Sequence, residues 1–179
     1  MLTNIIRRNM HSRVAIIGAG PAGNSVSSQL INTGKFKASD ITIYDPQQMN
    51  HYQPGYTNIA GGVWKTTHRD IMRDRESLLN PGLNWVREAV AYLEPSNNLV
   101  KTAEGNTHTY DYLVVASGLQ LRYDLIKGAR EALEDPECPV GSMYTLEFAQ
   151  KMSQLRERYT GGKAIFTVPV MPIKCGGAP

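Results

Sequence analysis

Cysteine is scarce in this sequence of 179 residues: there are two, Cys138 and Cys175. Two are too few for a disulfide framework, and they lack the paired spacing of a zinc site. A reducing compartment is therefore the default, with a cysteine kept for reactivity rather than stapling. Long apolar runs are also missing. Residues 14–17 and 113–116 are the longest, far short of the roughly 20 residues that a membrane-spanning helix needs. No basic stretch has the density or the interleaved aromatics of a nucleic-acid surface, and the net charge is only +3. Acidic residues are absent until Asp40, while Arg7, Arg8 and Arg13 fall within the first 13 positions. Residues 1–12 are thus a candidate mitochondrial presequence, basic and free of carboxylates; a frayed terminus with chance arginines fits equally well.

What remains is ordinary globular composition, 41% hydrophobic and 20% charged, in a length that suits one domain or one domain and the start of another. No internal repeat or low-complexity segment occurs. Residues 13–17 (RVAII) read as a strand buried on both faces. A glycine-rich turn follows, then a helix over residues 22–33 ended by Gly34, then a second strand over residues 40–45. Together they make a βαβ unit of about 30 residues. Residues 46–64 read as a structured loop, residues 67–79 as a helix, and residues 83–93 as one strand. A hairpin is expected from 99–102 and 107–110 around Glu104-Gly105-Asn106. Residues 112–116 make another buried strand. After a loop over 119–139, residues 145–159 carry apolar positions at helical steps, and residues 163–168 begin one more strand.

Gly18-Ala19-Gly20-Pro21-Ala22-Gly23 has the form G-x-G-x-x-G. Gly18 permits the tight turn, Gly20 lets a pyrophosphate approach the backbone, and Gly23 lets helix and strand pack closely. The helix N-terminus adds unpaired N–H groups and a positive dipole end, and Pro21 fits a first turn where its missing donor costs nothing. Alone the motif is weak. Here a strand precedes it, a helix follows, and Asp45 closes the next strand 22 residues after Gly23, placed to accept hydrogen bonds from an adenosine ribose. Dinucleotide binding follows from that context, with Gly18, Ala19, Gly20, Gly23 and Asp45 as its residues.

A simple dehydrogenase would continue with alternating strands and helices; this chain inserts an antiparallel hairpin first. That order, with YDYLVVASG at residues 110–118, resembles the FAD-binding proteins of the two-dinucleotide-domain flavoprotein class. The resemblance implies an α/β, Rossmann-like FAD domain, a parallel sheet with an antiparallel β insertion. It implies that Ser117 and Gly118 pack against the flavin nucleotide and that the Val90 backbone meets the adenine. The Val90 side chain reads as a core valine in either case. Three further segments resemble the sulfide:quinone oxidoreductases of mitochondrial type: HYQPGYT at residues 51–57, YDYLVVASGLQL at 110–121, and AIFTVPVMPIKCGGAP at 164–179.

That family resemblance implies that Gln53 touches FAD and that Cys175 is the reactive cysteine. There it pairs with a distant second cysteine, and sulfide attacks the disulfide. Electrons pass through FAD to a quinone, and the persulfide sulfur goes to glutathione or sulfite. Lys174 beside Cys175 would favour the thiolate, and the flanking glycines leave the sulfur accessible; a free thiol in a tail is the bland reading. The resemblance also implies an inner-membrane-associated mitochondrial enzyme whose membrane contact comes through C-terminal parts not in this sequence. On this reading residues 13–128 are the N-terminal part of the FAD domain. Residues 129–179 connect to the start of a second dinucleotide-type domain, and the chain alone is expected to lack turnover.

Cys138 in its proline-bracketed loop matches no family cysteine and reads as an ordinary thiol. His51 could orient Gln53, touch the flavin side or lie on the surface. His11, His68 and His108 show no ligand spacing, and no metal site is expected. Two other functions stay open: a type II NADH dehydrogenase-like flavoprotein, or an inactive truncated flavin-binding module. Disulfide reductases of the class place C-x-x-x-x-C soon after the first helix, and no cysteine precedes Cys138.

Overall fold

The βαβ unit forms where its residues place it. In the computed structural model, which describes residues 9–63 and 71–167, strand β1 is Asn9–Ile17, helix α1 is Pro21–Asn32 and strand β2 is Ile41–Tyr44. Pro21 opens α1 at its first turn, and Thr33 ends it by donating its N–H to the Gln29 carbonyl. Gly34 follows in the left-handed region at φ +73, a conformation glycine adopts at little cost.

The described residues fall into two units. The first runs to His51 and resumes from Met72 to Leu119. It holds a six-stranded sheet in which β2 and β1 are joined by β5 (Asn84–Val86), β8 (Thr107–Val115), β7 (Leu99–Thr102) and β6 (Val90–Glu94), in the order β5-β2-β1-β8-β7-β6. The first four are parallel, whereas β7 and β6 run antiparallel. A mostly parallel α/β sheet with an antiparallel insertion, as the sequence predicts, is thus present.

Residues 14–17 of β1 and 41–44 of β2 are covered on both faces, which is why they are buried without alternation. Val14, Ile16, Ile41 and Ile43 pack with Val26, Leu30 and Ile31 of α1. Ala15, Tyr44, Val100 and Tyr110 form the opposite cluster with Val90 and Leu113. Each fully buried Ile or Val contributes about 1.5–3 kcal/mol. Two buried polar pairs link strands: Ser12 Oγ to Thr42 Oγ1 at 2.6 Å joins the neighbours β1 and β2, and Tyr44 OH to His108 Nδ1 at 2.9 Å reaches from β2 across β1 to β8.

Three expected elements differ. Residues 83–93 are not one strand: β5 leaves β2 after Val86, the chain turns, and Val90–Glu94 pairs with β7 instead. Asn106 Nδ2 donates to both carboxylate oxygens of Glu88 within that turn. The two expected strands at 107–110 and 112–116 are one continuous β8, because β1 pairs along its length, from Asn9↔Thr107 to Ile17↔Val115. The described part of the expected helix 67–79 is instead strand β4 (Met72–Asp74), antiparallel to β3 (Met49–His51), followed by a short 3-10 turn. Its helical charge pattern yields to the pairing and to Asp74, whose carboxylate accepts from Glu76 N at 2.9 Å.

The second unit holds residues from Tyr52 to Ile71 and from Gln120 onward. The expected loops here contain two short helices, α2 (Gly55–Ala60) and α3 (Ala129–Glu134). Helix α4, Leu146–Arg158, starts at Thr145, whose Oγ1 accepts from Phe148 N, and ends with Arg156 and Arg158 favourably placed for the helix dipole. Lys151 Nζ donates to the carbonyls of Ala132, Leu133 and Asp135, closing the end of α3. Residues 163–167 form no strand, and Ile165 and Phe166 are exposed; none of the described strands pairs with them. The end of that expected strand, Val168, lies outside the described residues, as do residues 1–8 of the candidate presequence.

Burial holds the His108 imidazole below its ordinary pKa of 6.5, and burial raises the Tyr44 phenol to about 12. A base with a depressed folded pKa binds its proton more readily when unfolded, so it withdraws stability as pH falls through about 6.5. The urea midpoint is expected to drop between pH 7.5 and 5.5 more steeply for the wild type than for His108→Gln. Equal slopes would exclude this account.

Candidate functional site

The carboxyl ends of β1, β2 and β8 bring together most of the residues expected to hold a dinucleotide. Ile17 ends β1, and Gly18 turns away at φ +97, its N–H donating to Tyr44 O at 2.8 Å. A Cβ on Gly18 would lie 2.4 Å from Ala116 O and 3.1 Å from Ser117 Cα, so the end of β8 touches the turn backbone to backbone. A Cβ on Gly23 would lie 1.9 Å from Gly18 O, which seats α1 against the turn. Gly20 differs from both: its Cβ would meet nothing within 4 Å. Two glycines are small because the protein packs against them. The middle one opens onto free space beside the start of α1, where a phosphate can approach the backbone and meet unpaired N–H groups.

Asp45 stands next to this turn. Its Oδ2 accepts from Ala19 N at 2.9 Å and its Oδ1 from Gln47 N at 2.8 Å. Its own N–H donates to Val86 O, and the Trp85 indole donates to Asp45 O at 2.9 Å. A carboxylate has about four acceptor positions, so the bonds to Ala19 and Gln47 leave capacity for a ribose hydroxyl. Ser117 and Gly118 follow β8, both exposed, with Gly118 at φ +74.

One residue beside the turn is not evident from the sequence. Arg75 is buried, 6% exposed. Its Nη1 donates to Ala19 O at 2.5 Å, its Nε to Gln47 O at 2.6 Å and its Nη2 to Met49 O at 3.2 Å. Nη1 also lies 3.5 Å from Asp45 Oδ2. Five donors in a planar fork suit such a cluster of carbonyls. In the run Arg73-Asp74-Arg75-Glu76 it reads as a solvated charge, and only the long-range contact with Ala19 distinguishes it.

Val90 packs its side chain in the cluster of Tyr44, Val100 and Tyr110 and pairs with Thr102 in the ladder, as a core valine does. Gln53 belongs to the second unit, exposed before α2, its carbonyl accepting from Tyr56 N at 2.9 Å. His51 ends β3, half-buried. Cys138 is half-buried, its N–H donating to Asp135 O at 3.2 Å. Cys175 and Lys174 lie outside the described residues, as does His68. Among the described residues no cluster could hold a metal ion, and no helix is long and apolar enough to cross a membrane.

The glycines separate by substitution. Gly18→Ala is expected to destabilise by about 3 kcal/mol or more, since it meets backbone and strains φ. Gly20→Ala, at φ −73 and with free space around it, should cost about 1 kcal/mol or less yet weaken FAD binding about tenfold or more. Urea unfolding and FAD titration check the pair; equal stability losses would exclude this division of roles.

A family model described as pyridine nucleotide-disulphide oxidoreductase matches residues 12–156. The mitochondrial sulfide:quinone oxidoreductase of Dictyostelium discoideum is 37% identical over 169 residues, covering 94% of this chain and 36% of that protein. The protein of the same description from Mus musculus is 31% identical over the same shares. Among solved structures, the sulfide:quinone oxidoreductase of the hyperthermophilic bacterium Aquifex aeolicus matches with a TM-score of 0.63 at 25% identity, over 83% of this chain and 32% of that one. The chain spans about a third of the length of these relatives. With a strand, glycine turn, helix and acid in the order that seats a dinucleotide, it belongs to the pyridine nucleotide-disulphide oxidoreductase family of FAD-dependent flavoproteins.

Proposed function

We propose that this chain supplies the FAD-binding part of a mitochondrial sulfide:quinone oxidoreductase. Similarity at 31–37% identity over 94% of the chain to proteins of that description carries the reading. On this reading residues 13–128 seat the cofactor, and residues 129–179 lead into a second dinucleotide-type domain. The turn from Gly18 to Gly23 faces the diphosphate, Asp45 takes the adenosine ribose, and Ser117 and Gly118 leave room beside it. By the family resemblance Gln53 also touches FAD, and the Val90 backbone meets the adenine. FAD, when bound, would supply a two-electron acceptor between sulfide and quinone.

Cys175 is the residue proposed to handle sulfur. Paired as a disulfide with a second cysteine of the complete enzyme, it meets hydrosulfide as the nucleophile. The disulfide S–S bond breaks as a new S–S bond forms to the incoming sulfur. One cysteine becomes a persulfide, and the other leaves as a thiolate carrying the electron pair. Lys174 favours that thiolate by its charge. Glutathione or sulfite then accepts the persulfide sulfur. Mitochondrial placement follows the descriptions of the relatives and the basic residues Arg7, Arg8 and Arg13.

In the full-length protein, sulfide is expected to bleach the visible flavin absorbance, and added quinone to restore it. Cys175→Ser should keep FAD and slow the bleaching roughly a hundredfold or more. Bleaching by NADH and not by sulfide would favour the NADH dehydrogenase reading. Bound flavin that neither reductant bleaches would favour a binding module.

A further inference from the structure

Arg75 does more than fill a buried position. Ala19 O accepts from its guanidinium at 2.5 Å, and Ala19 N donates to Asp45 Oδ2 at 2.9 Å. Residue 19 is therefore held through both of its peptide groups. In a trans peptide the carbonyl of one residue and the N–H of the next point in opposite directions. Drawing Ala19 O onto Arg75 therefore turns the Gly20 N–H away from the guanidinium. The space around Gly20 is the open one, with nothing within 4 Å of an added Cβ. Gly20 is also the residue immediately before α1, so its amide joins the positive end of the helix dipole.

The guanidinium is itself held in place. Besides Ala19 O it reaches Gln47 O and Met49 O, on the chain that leaves β2, and Asp45 offsets its charge at 3.5 Å. Three carbonyls at different angles match a planar fork and not the point charge of an ammonium. One side chain thus couples the glycine turn, the ribose acid and the segment after β2.

We propose that Arg75 is a positioning residue for the cofactor: by holding the Ala19 carbonyl it aims the Gly20 amide at the FAD diphosphate, without touching FAD itself. The inference rests on the flavoprotein reading.

The test uses the full-length protein stripped of flavin, with FAD and ADP as probes. In the wild type, ADP is expected to shift the Gly20 amide resonance in a 15N-1H correlation spectrum. In Arg75→Gln that shift should fall to less than half and the FAD dissociation constant should rise about tenfold or more, the scale of one charge-assisted hydrogen bond. Arg75→Lys keeps the charge and loses the fork, so it should recover only part of the affinity. A wild-type Gly20 amide that ADP leaves unmoved would overturn the proposal. So would Arg75→Gln with FAD affinity within twofold of wild type. If Arg75→Gln does not fold, Arg75→Lys decides: full wild-type affinity and Gly20 shift would overturn the proposal, and a partial loss of both supports it. A folded wild type that takes up neither FAD nor ADP would remove the flavoprotein reading, and this inference with it.

Discussion

Where β1, β8 and α1 meet, backbone touches backbone with no side chain between. A single methyl group at Gly18 would fall 2.4 Å from the Ala116 carbonyl, and one at Gly23 1.9 Å from the Gly18 carbonyl. Those distances leave two of the three glycines no substitute, and they set the direction in which the first turn of α1 points. Asp45 and Arg75 can engage Ala19 only because the turn is drawn in this far. Ser117 and Gly118 stand beside it because β8 runs alongside β1 to its end. The site is therefore a consequence of close packing first and of polar chemistry second.

What could be read from residues alone follows the same division. Gly18, Gly20, Gly23 and Asp45 were legible because a glycine turn, a helix start and an acid lie within one βαβ unit, where spacing determines geometry. Ser117 and Gly118 were legible only through the family resemblance of the strand that they follow. Arg75 was not, because its burial depends on Ala19, 56 positions away, and local charge patterning pointed to solvent. The break after Val86 was equally hidden. Residues on either side of it are apolar enough for one strand, and the partners on β2 and β7 divide them. Helix α4 was readable nearly to the residue, since its apolar positions recur at helical steps over a local stretch of chain.

The polar groups inside the sheet have a different logic. Ser12 with Thr42, and Tyr44 with His108, are pairs across neighbouring or next-neighbour strands, in places where an apolar residue would also be sheltered. Each satisfies its partner only in the correct register, because a slip by one residue would turn the hydroxyls to the other face. They add specificity to a seam whose apolar contacts would tolerate several alignments. His108 Nε2 lacks a partner among the described residues, which fits an imidazole that stays neutral and resists protonation.

The long pairing of β1 with β8 also has a bearing on when the site comes into being. Their partners are 98 positions apart, as in His11 with Thr109, so the central seam is a contact of high sequence separation and carries a correspondingly slow closure. The whole glycine fingerprint and Asp45 are synthesised within residues 18–45. The surface that holds Gly18 in place arrives only with Ala116. A nascent chain can therefore carry every residue of the fingerprint and still offer a dinucleotide nowhere firm to rest.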